Sequence, residues 1–286
     1  MISVIVPVHD EEAVLPRCLR RLTAGTAPEA LDLVVVCNAC SDRSAEIARS
    51  FPFPIRVVET SVASKTNAWN LGDEAARGFP RFYVDADVEL AWPAIARVAA
   101  ALDEPGVLAA APAIEVDTSG SSLAVRGFYR VWQQLPYLRT GMIGSGVFAL
   151  SREGRARFER FPDVIADDDF VRRLFRPTER RSVPECSFKI FAPGDLDSLI
   201  RIKTRSRLGR LQLDQGAFPG SEESGHSSHV RGAVRLAASP RLWGALAIYA
   251  FVTLATRWRA RRQAEAGAFG GWERDDSSRR NVRAES

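Results

Sequence analysis

Two aspartates separated by one residue follow an apolar run in the first third of the chain. Asp85-Ala86-Asp87 comes directly after Phe82-Tyr83-Val84. Two carboxylates with this spacing at the end of a strand can converge on one divalent cation that prefers oxygen ligands, and such a cation would hold a diphosphate. The alternative is structural, because aspartate is common in turns, where one carboxylate caps the backbone and the other is solvated.

Three adjacent aspartates, Asp167 to Asp169, open a segment that is predicted to be a helix through Phe175. Acidic residues at a helix start accept hydrogen bonds from backbone amides and interact favourably with the helix dipole, so helix capping is one interpretation. Neighbouring carboxylates also repel one another, which predicts a raised pKa for at least one of them. A carboxyl group of that kind is suited to proton transfer near neutral pH.

Apolar strands alternate with helices over the first 111 residues. The predicted strands are 3–8, 33–36, 55–58, 82–84 and 107–111, and the predicted helices lie near 14–22 and at 44–49, 67–77 and 94–102. This order predicts an α/β domain whose mostly parallel sheet has helices on both faces. Ligands bind beyond the carboxyl ends of such strands, and three strands end in polar residues: His9 to Glu12, Asn38 to Asp42, and Asp85 to Asp87.

The pattern becomes less regular after Pro112. We predict a helix over 123–135, a Gly-rich stretch at 141–146, a strand over 147–150, a helix that begins near Ser151 and a basic helix over 196–213. The segment 214–231 is rich in Gly, Ser, Glu and His and is predicted to be a flexible loop. A basic and apolar helical segment follows at 232–262, and the polar tail 263–286 is predicted to be disordered.

Composition limits the class of protein. The chain is 46% hydrophobic and 26% charged, which is typical of a globular protein. Its 39 basic and 35 acidic residues leave a net charge of +4, which does not indicate a nucleic-acid partner. The four cysteines provide no disulfide framework, and no signal-peptide pattern follows Met1, so we expect a reducing, cytoplasmic compartment.

The apolar run from Leu242 to Thr256 contains no charged residue. It is shorter than the about 20 residues that a membrane-spanning helix requires. A helix in the protein core is one interpretation. Arginines on both sides of the run, together with Trp243, Tyr249 and Trp258, favour a second one, a helix that lies in the inner face of the cell membrane.

Four motifs occur in a fixed order along the first 90 residues. They are V-P-V-H-D-E-E from Val6, C-N-A-C-S-D-R-S from Cys37, S-K-T-N-A-W-N-L-G-D from Ser64 and Y-V-D-A-D-V from Tyr83. In this order they resemble the family 2 inverting glycosyltransferases of GT-A fold. The resemblance implies a Rossmann-like catalytic domain over 1–213, with a nucleotide-binding half at 1–111 and an acceptor half at 112–213, followed by a C-terminal helical appendage.

The activity implied by the resemblance is that of a divalent-metal-dependent, hexosyltransferase-type enzyme. It would move a sugar from a nucleotide-diphospho-sugar to the hydroxyl of a glycan, a lipid-linked acceptor or a small molecule, in the synthesis of the cell envelope, a glycolipid or a polysaccharide. The resemblance places the following residues in the donor site: Pro7, His9, Glu12, Asn38, Lys65, Asn70, Asp85, Ala86, Asp87, Arg205 and Arg207. For Arg205 and Arg207 the alternative is an ordinary solvated basic face of a helix. Asn38 stands where the family usually has an acidic residue.

The resemblance also assigns the metal and the catalytic base. Asp87 would bind Mn²⁺ or Mg²⁺ directly, with Asp85 as the second candidate ligand or as a contact of the ribose or sugar. Asp168 would be the general base, with Asp167 as its alternative. Gly144, Ser145 and Gly146 would belong to the acceptor region.

Three other classes of function stay open at this point. Cys37-Asn-Ala-Cys40 has the spacing of a thioredoxin-like redox motif. The D-x-D sequence after an apolar strand also fits a haloacid-dehalogenase-type phosphohydrolase with Asp85 as nucleophile, although three strand–helix units precede Asp85 and that family has the pair on its first strand. A sugar-nucleotide binding module without catalytic activity is the third.

Overall fold

The computed structural model describes residues 1–135, 145–216, 236 and 239–267. The strands are β1 Ile2–Val8, β2 Leu31–Asn38, β3 Ile55–Thr60, β4 Arg81–Val84, β5 Ala109–Asp117, β6 Val147–Leu150 and β7 Arg180–Phe191. The α-helices are α1 Leu15–Thr23, α2 Ser44–Ser50, α3 Lys65–Ala75, α4 Trp92–Leu102, α5 Leu123–Trp132, α6 Arg152–Arg155, α7 Asp167–Arg173, α8 Leu196–Gln215 and α9 Trp243–Glu265.

The described residues form two compact units. The first contains residues 1–115, 145–163 and 174–190, and the second contains residues 116–135, 164–173, 191–216, 236 and 239–267. The sheet belongs to the first unit except for the last residues of β5 and β7. The second unit contains helices α5, α7, α8 and α9.

The strands of the described ranges form one sheet in the order β3-β2-β1-β4-β6-β5-β7. The four adjacent strands β3, β2, β1 and β4 are parallel to one another. Strand β6 runs antiparallel to both β4 and β5. The central strands β1 and β2 are rich in valine and almost wholly buried, as expected for strands that helices cover on both faces. The predicted α/β class with a mostly parallel sheet is therefore confirmed.

Two helices illustrate how the sheet is covered. Helix α1 buries Leu15, Cys18, Leu19 and Leu22, which recur every three or four residues on one face. Helix α3 lies so close to β1 that a methyl group on Gly72 would overlap the side chain of Ile5. The close approach of α3 matters for function because Lys65, a predicted donor-site residue, is the first residue of this helix.

Some elements differ from the sequence prediction. Helix α3 begins two residues before the predicted start because the Ser64 hydroxyl caps it by accepting a hydrogen bond from the Asn67 amide at 3.2 Å. Strand β7 was not predicted: it contains Pro184 and is only partly buried, which suits an edge strand but hides the period-two pattern. The helix expected near Ser151 is the single turn α6. Helix α5 ends at Trp132 rather than at 135, and α7 ends at Arg173 rather than at Phe175.

In the second unit, helix α9 packs against α5 and α8. It has 23 residues and continues to Glu265, beyond the apolar run, because the residues after Thr256 are helix formers without Gly or Pro. Val252, Thr256 and Ala260 are buried on one face, whereas Phe251, Leu254 and Trp258 are exposed. One face of α9 is thus a core face and another is an exposed apolar face. Among the described helices, none is both long and apolar enough to cross a membrane.

Most of the predicted loop 214–231 and of the predicted tail 263–286 lies outside the described residues, which do not include 217–235, 237–238 and 268–286. Helix α8 extends to Gln215, two residues into the segment predicted as a loop, since no Gly or Pro interrupts it.

Candidate active site

The direction in which strands are added to the sheet reverses at β1. From β1 the chain adds β2 and β3 on one side and then places β4 on the other side. In an open α/β sheet this reversal leaves a crevice at the carboxyl ends of the strands, where ligands bind. His9 follows β1 and Asp85 follows β4, so the polar strand ends found in the sequence flank this crevice.

Asp85 is held by both its side chain and its backbone. Its Oδ1 lies 2.7 Å from Nζ of Lys65, and the two side chains are 27% and 23% exposed. The ammonium group of Lys65 also lies 5.4 Å from the centroid of the Trp69 ring. The Asp85 amide donates a hydrogen bond of 2.8 Å to the carbonyl of Gly146. The carboxylate of Asp85 is therefore positioned beside a cation at the end of β4.

Asp87 differs from Asp85 in its surroundings. Ala86 is buried, whereas Asp87 is exposed. The backbone carbonyl of Asp87 accepts a hydrogen bond of 3.3 Å from the guanidinium of Arg17, and Arg17 also pairs with Glu89 at 3.4 Å. These contacts fix the backbone of the turn. Asp87 is therefore accessible to solvent, and its predicted role as a metal ligand stays a prediction.

Gly146 contacts Asp85 directly. Its φ of +109° is a conformation that residues with a side chain rarely adopt. A Cβ at this position would lie 3.0 Å from Cγ1 of Val88 and 3.5 Å from Oδ2 of Asp85. Ser145 also has a positive φ, of 32°. Of the three predicted acceptor-region residues, Gly146 thus lies beside Asp85, Ser145 precedes it in the chain, and Gly144 is outside the described residues.

The predicted donor residues of β1 and β2 mainly support the loops. Asn38 is 1% exposed, and its Nδ2 donates to the Val8 carbonyl at 2.8 Å. Nδ1 of His9 lies 2.6 Å from the Asn38 carbonyl. Pro7 is buried within β1, and Glu12 pairs with Arg43 at 3.5 Å. Because the amide donor of Asn38 is already used inside the protein, a direct contact with a nucleotide base stays a prediction.

Two aspartates that had no predicted role organise the same loops. Asp10, at φ 51°, accepts hydrogen bonds at Oδ1 from the amides of Ser41 and Asp42, at 2.6 and 3.3 Å. The Asp42 carboxylate accepts from the amides of Ser44 and Glu12, both at 2.9 Å. With Cys40 they form a group whose possible ligand atoms lie within 4.8 Å of one another. The hydrogen bonds define their role, which is to join the loops after β1 and β2. Both aspartates belong to the motifs named in the sequence analysis: Asp10 is the D of V-P-V-H-D-E-E, and Asp42 is the D of C-N-A-C-S-D-R-S.

Asn70 connects α3 to a later segment of the same unit. Its Nδ2 donates to the Phe161 carbonyl at 3.0 Å, and its Oδ1 accepts from the Phe161 amide at 2.8 Å. Both polar groups of Asn70 are therefore used within the protein. The predicted contact with the nucleotide stays a prediction.

Asp73 is the centre of a buried charge network that sequence reasoning missed. The residue is 6% exposed. Its Oδ1 accepts from Arg81 and from the Tyr83 hydroxyl, both at 2.7 Å, and its Oδ2 accepts from Arg155 at 2.5 Å. Burial and the negative charge of Asp73 raise the pKa of Tyr83. The network fixes α3 against β4 and α6, but the spacing of these residues in the sequence gives no sign of it.

The three aspartates of α7 are not equivalent. Asp167 is 5% exposed. Asp169 pairs with Arg172 at 2.6 Å and with Arg173 at 3.0 Å. Burial would raise the pKa of Asp169, but the two arginines lower it further, so its net pKa is below the ordinary value. Asp168 is half-buried, and its Oδ1 accepts from the Asp169 amide at 2.8 Å. Asp169 thus forms a structural ion pair with two arginines of its own helix.

Helix α8 fixes the segment that leads into α7. Oε1 of Gln212 accepts a hydrogen bond of 2.9 Å from the Ile165 amide. A methyl group on Gly209 would lie 2.8 Å from the backbone nitrogen of Ala166, so only glycine permits this approach. On the same helix Arg205 is half-buried. The pKa of Arg207 is lowered to about 10 by burial and by Arg257 and other nearby arginines.

The two cysteines of the C-x-x-C sequence differ in their surroundings. Cys37 lies within β2 and is buried, whereas Cys40 is half-buried. The hydrogen bond between the two thiols and burial raise the pKa of Cys37, and the same hydrogen bond lowers the pKa of Cys40. A redox role of this pair stays a hypothesis. Asp85 follows the fourth strand of the chain, so the haloacid-dehalogenase arrangement on a first strand is absent from the described strands.

An α/β sheet with an acidic pair at its switch point is compatible with several enzyme classes, and comparison with known proteins separates them. Residues 3–153 match the family model described as Glycosyl transferase family 2. Since the match covers more than half of the 286 residues, the chain belongs to this family and is a glycosyltransferase. The predicted family and enzyme class are confirmed. No curated protein matches the chain.

Solved structures show the same fold at low sequence identity. A mannosyltransferase from Pyrobaculum calidifontis, solved with GDP-Man and Mn²⁺, is 21% identical with a TM-score of 0.56, and the match covers 99% of this chain and 78% of that one. Glucosyl-3-phosphoglycerate synthase from Mycobacterium tuberculosis, solved with Mn²⁺, UDP-Glc and phosphoglyceric acid, is 17% identical with a TM-score of 0.56, over 77% of this chain and 81% of that one. These likenesses establish the GT-A fold.

Proposed function

We propose that this glycosyltransferase moves a sugar from a nucleotide-diphospho-sugar to an acceptor hydroxyl, with inversion at the anomeric carbon. The observation that carries the proposal is the position of Asp85 and Asp87, which follow β4 beside the crevice between β1 and β4. A diphosphate bound there would need its negative charge neutralised as it leaves the sugar, and an acidic pair can supply that only through a cation.

Mn²⁺ or Mg²⁺ fits the donor set at this site. Both ions prefer oxygen ligands, and such sites commonly combine one or two carboxylates with substrate phosphates. Asp87 is the direct ligand in this proposal because its carboxylate is exposed, whereas Oδ1 of Asp85 is 2.7 Å from the Lys65 ammonium. Asp85 then contacts the ribose or the sugar, or completes the metal site. The ion would stabilise the departing nucleoside diphosphate as a Lewis acid.

The donor pocket is proposed to lie in residues 1–111, with His9, Glu12, Asn38, Lys65 and Asn70 around the nucleotide. Arg205 and Arg207, in the acceptor half at 112–213, are proposed to contact the diphosphate. Two related folds were solved with GDP-Man and with UDP-Glc, which makes guanine and uracil nucleotides the first donors to test.

Asp168 is proposed as the general base. Asp169 is held by two arginines that lower its pKa, and Asp167 is almost completely buried. Asp168 is half-buried and is therefore more accessible than Asp167. It would accept the proton of the acceptor hydroxyl as the hydroxyl oxygen attacks the anomeric carbon. Asp167 is the alternative.

The acceptor is proposed to be a lipid-linked or other cell-envelope glycan, and the enzyme to work at the inner face of the cell membrane. The support is the exposed apolar face of α9, which includes Phe251, Leu254 and Trp258, and the arginines that follow it. Aromatic and basic residues in this combination favour the membrane–water interface.

Calorimetric titration with UDP, GDP, CDP and dTDP, each with and without Mn²⁺, tests the donor site. We expect one diphosphate to bind tightly in the presence of Mn²⁺ and this binding to be lost in Asp87→Ala. The matched control is Asp103→Ala, which removes another exposed carboxylate at the end of α4. Absence of binding for every diphosphate, or equal loss in the control, would contradict the proposed donor site.

A further inference from the structure

A cavity of about 590 Å³ lies between helices α8 and α9, within the second unit. Helix α8 contributes Asp197, Arg201 and Thr204, and helix α9 contributes Trp258, Arg259 and Arg262. The two helices pack directly against each other, so the cavity is part of a formed helix–helix contact. It has no role in the transfer reaction proposed above.

The cavity has an excess of positive charge. Three arginines line it against one carboxylate, that of Asp197. Arg259 and Arg262 are exposed side chains of α9, whereas Arg201 is fixed by a hydrogen bond of 2.8 Å from its guanidinium to the Ser198 hydroxyl. Guanidinium groups arranged around a cavity bind phosphate through paired hydrogen bonds. The charge of the lining is therefore complementary to a phosphate group.

One polar group of the lining lacks a partner within the described residues. Thr204 is 1% exposed, and its Oγ1 is buried without a hydrogen bond to any described group. A buried hydroxyl in this state is costly to the folded protein. The Thr204 side chain lines the cavity, but its hydroxyl oxygen lies below the surface. The contact with a ligand therefore falls to the arginines.

An exposed apolar surface continues from the cavity along α9. Trp258, Leu254 and Phe251 are 59%, 63% and 56% exposed and follow one another at intervals of three or four residues, so they share one face of the helix. The guanidinium of Arg262 lies 4.8 Å from the centroid of the Trp258 ring. A molecule that satisfies both features needs a phosphate and an adjoining apolar part.

We propose that this cavity binds the phosphate headgroup of an anionic membrane lipid while the exposed face of α9 lies in the acyl boundary. The cavity holds the phosphate with Arg201, Arg259 and Arg262, and the apolar face enters the bilayer. A soluble phosphate would use the arginines but would leave the apolar face in water. The inference rests on the membrane contact proposed above and is independent of glycosyl transfer.

Vesicle flotation of the full chain tests the headgroup site. Vesicles of phosphatidylglycerol mixed with phosphatidylcholine are compared with phosphatidylcholine alone. We expect the wild type to float with the anionic vesicles and the double variant Arg259→Gln/Arg262→Gln to bind them about tenfold more weakly. Arg20→Gln/Arg77→Gln is the matched control, because it removes the same charge from exposed positions of the first unit outside the cavity and should bind nearly as well as the wild type.

Each other outcome overturns a defined part of the proposal. If the wild type binds neither vesicle, the membrane contact and the headgroup site are both wrong, and donor binding still decides the transfer reaction. If the cavity variant floats as well as the control, the headgroup site is wrong and the membrane contact stands. If inorganic phosphate binds the wild type in calorimetry and the cavity variant loses that binding without any loss of flotation, the ligand is a soluble phosphate. Equal unfolding midpoints of the wild type and the variants exclude misfolding.

Discussion

The two units of the molecule differ in the balance of their charged residues. In the first unit Asp73 is surrounded by Arg81, Arg155 and the Tyr83 hydroxyl. In the second unit helix α8 has five cationic residues and two carboxylates, and helix α9 has four and one. Lys203 of α8 has its ammonium group 4.6 Å from the centroid of the Trp132 ring. Its pKa is lowered to about 8 by burial and by Arg210.

The difference indicates which charges build the fold and which serve a ligand. A buried carboxylate with matched donors stabilises the arrangement of its helices and strands, and loss of one partner exposes the others to a low-dielectric interior. A surplus of cations has the opposite effect, because burial and mutual repulsion oppose folding. An anionic ligand that binds to these helices would neutralise the excess positive charge. Removal of a buried cation should therefore lower stability in the first unit and leave it unchanged or raise it in the second.

The largest expected effect separates two neighbouring carboxylates of α7. Asp168→Asn should lower kcat roughly 10² to 10⁴-fold, as expected for loss of a general base, with donor binding unchanged. Asp169→Asn should instead lower stability, because Asp169 pairs with Arg172 and Arg173. Steady-state kinetics and urea unfolding of both variants measure this contrast. Normal turnover in Asp168→Asn would exclude it as the base and direct the same experiment to Asp167.

The charge network around Asp73 in the first unit should contribute strongly to stability, and an isosteric substitution of Asp73 tests this. Asp73→Asn should lower the free energy of unfolding by about 3–5 kcal/mol, because Arg81 and Arg155 lose their buried counter-ion. Urea denaturation measures the change. Asp103→Asn, at an exposed position, should have almost no effect. A loss below about 1 kcal/mol, the usual value of a surface pair, would show that the network is not structural.

A smaller effect concerns the contact between Gly146 and Asp85. Gly146→Ala forces a side chain into a φ of +109° and against Val88. The backbone strain should cost about 1–2 kcal/mol, and displacement of Asp85 should lower kcat/KM roughly tenfold. Gly106→Ala is the control, since it has a φ of +82° but no heavy atom within 4 Å of the added carbon. If both variants lose activity equally, the contact with Asp85 has no specific role.

The sequence predicted the features that local patterns determine. The alternation of valine-rich strands with helices gave β1 to β4 and α1 to α4, and the four motifs identified the family. The partly buried edge strand β7 was missed because its residues do not alternate. Asn38 and Asn70 illustrate the limit at the site: their types fit a ligand contact, yet their amides bond to Val8 and Phe161. Such partners depend on tertiary packing, which a single sequence does not reveal.

The last substitution tests whether removal of a buried cation from the second unit leaves stability unchanged or raises it. Lys203→Met replaces an ammonium group with an apolar end of similar size among Phe128, Tyr129 and Trp132. Because the aromatic groups are retained and the buried charge is removed, the free energy of unfolding at pH 7 should stay the same or increase. Arg155→Met, which removes a matched cation of the first unit, should decrease it. A decrease of similar size in both variants would refute the distinction between the two units.

The pH dependence of the stability of Lys203→Met shows whether the buried charge of Lys203 causes the difference from the wild type. The pKa of Lys203 is about 8 in the folded protein against 10.5 ordinarily, so below pH 8 both states hold the proton and the full cost of burying the charge is present. Between pH 8 and 10.5 the unfolded chain keeps a proton that the folded protein has released, and stability therefore rises with pH. The difference in unfolding free energy between Lys203→Met and the wild type should consequently shrink across this window. Urea denaturation at pH 7, 9 and 10.5 measures that difference, and subtraction removes the titration of groups common to both proteins. A difference independent of pH would mean that packing, and not the buried charge of Lys203, sets the stability of this helix pair.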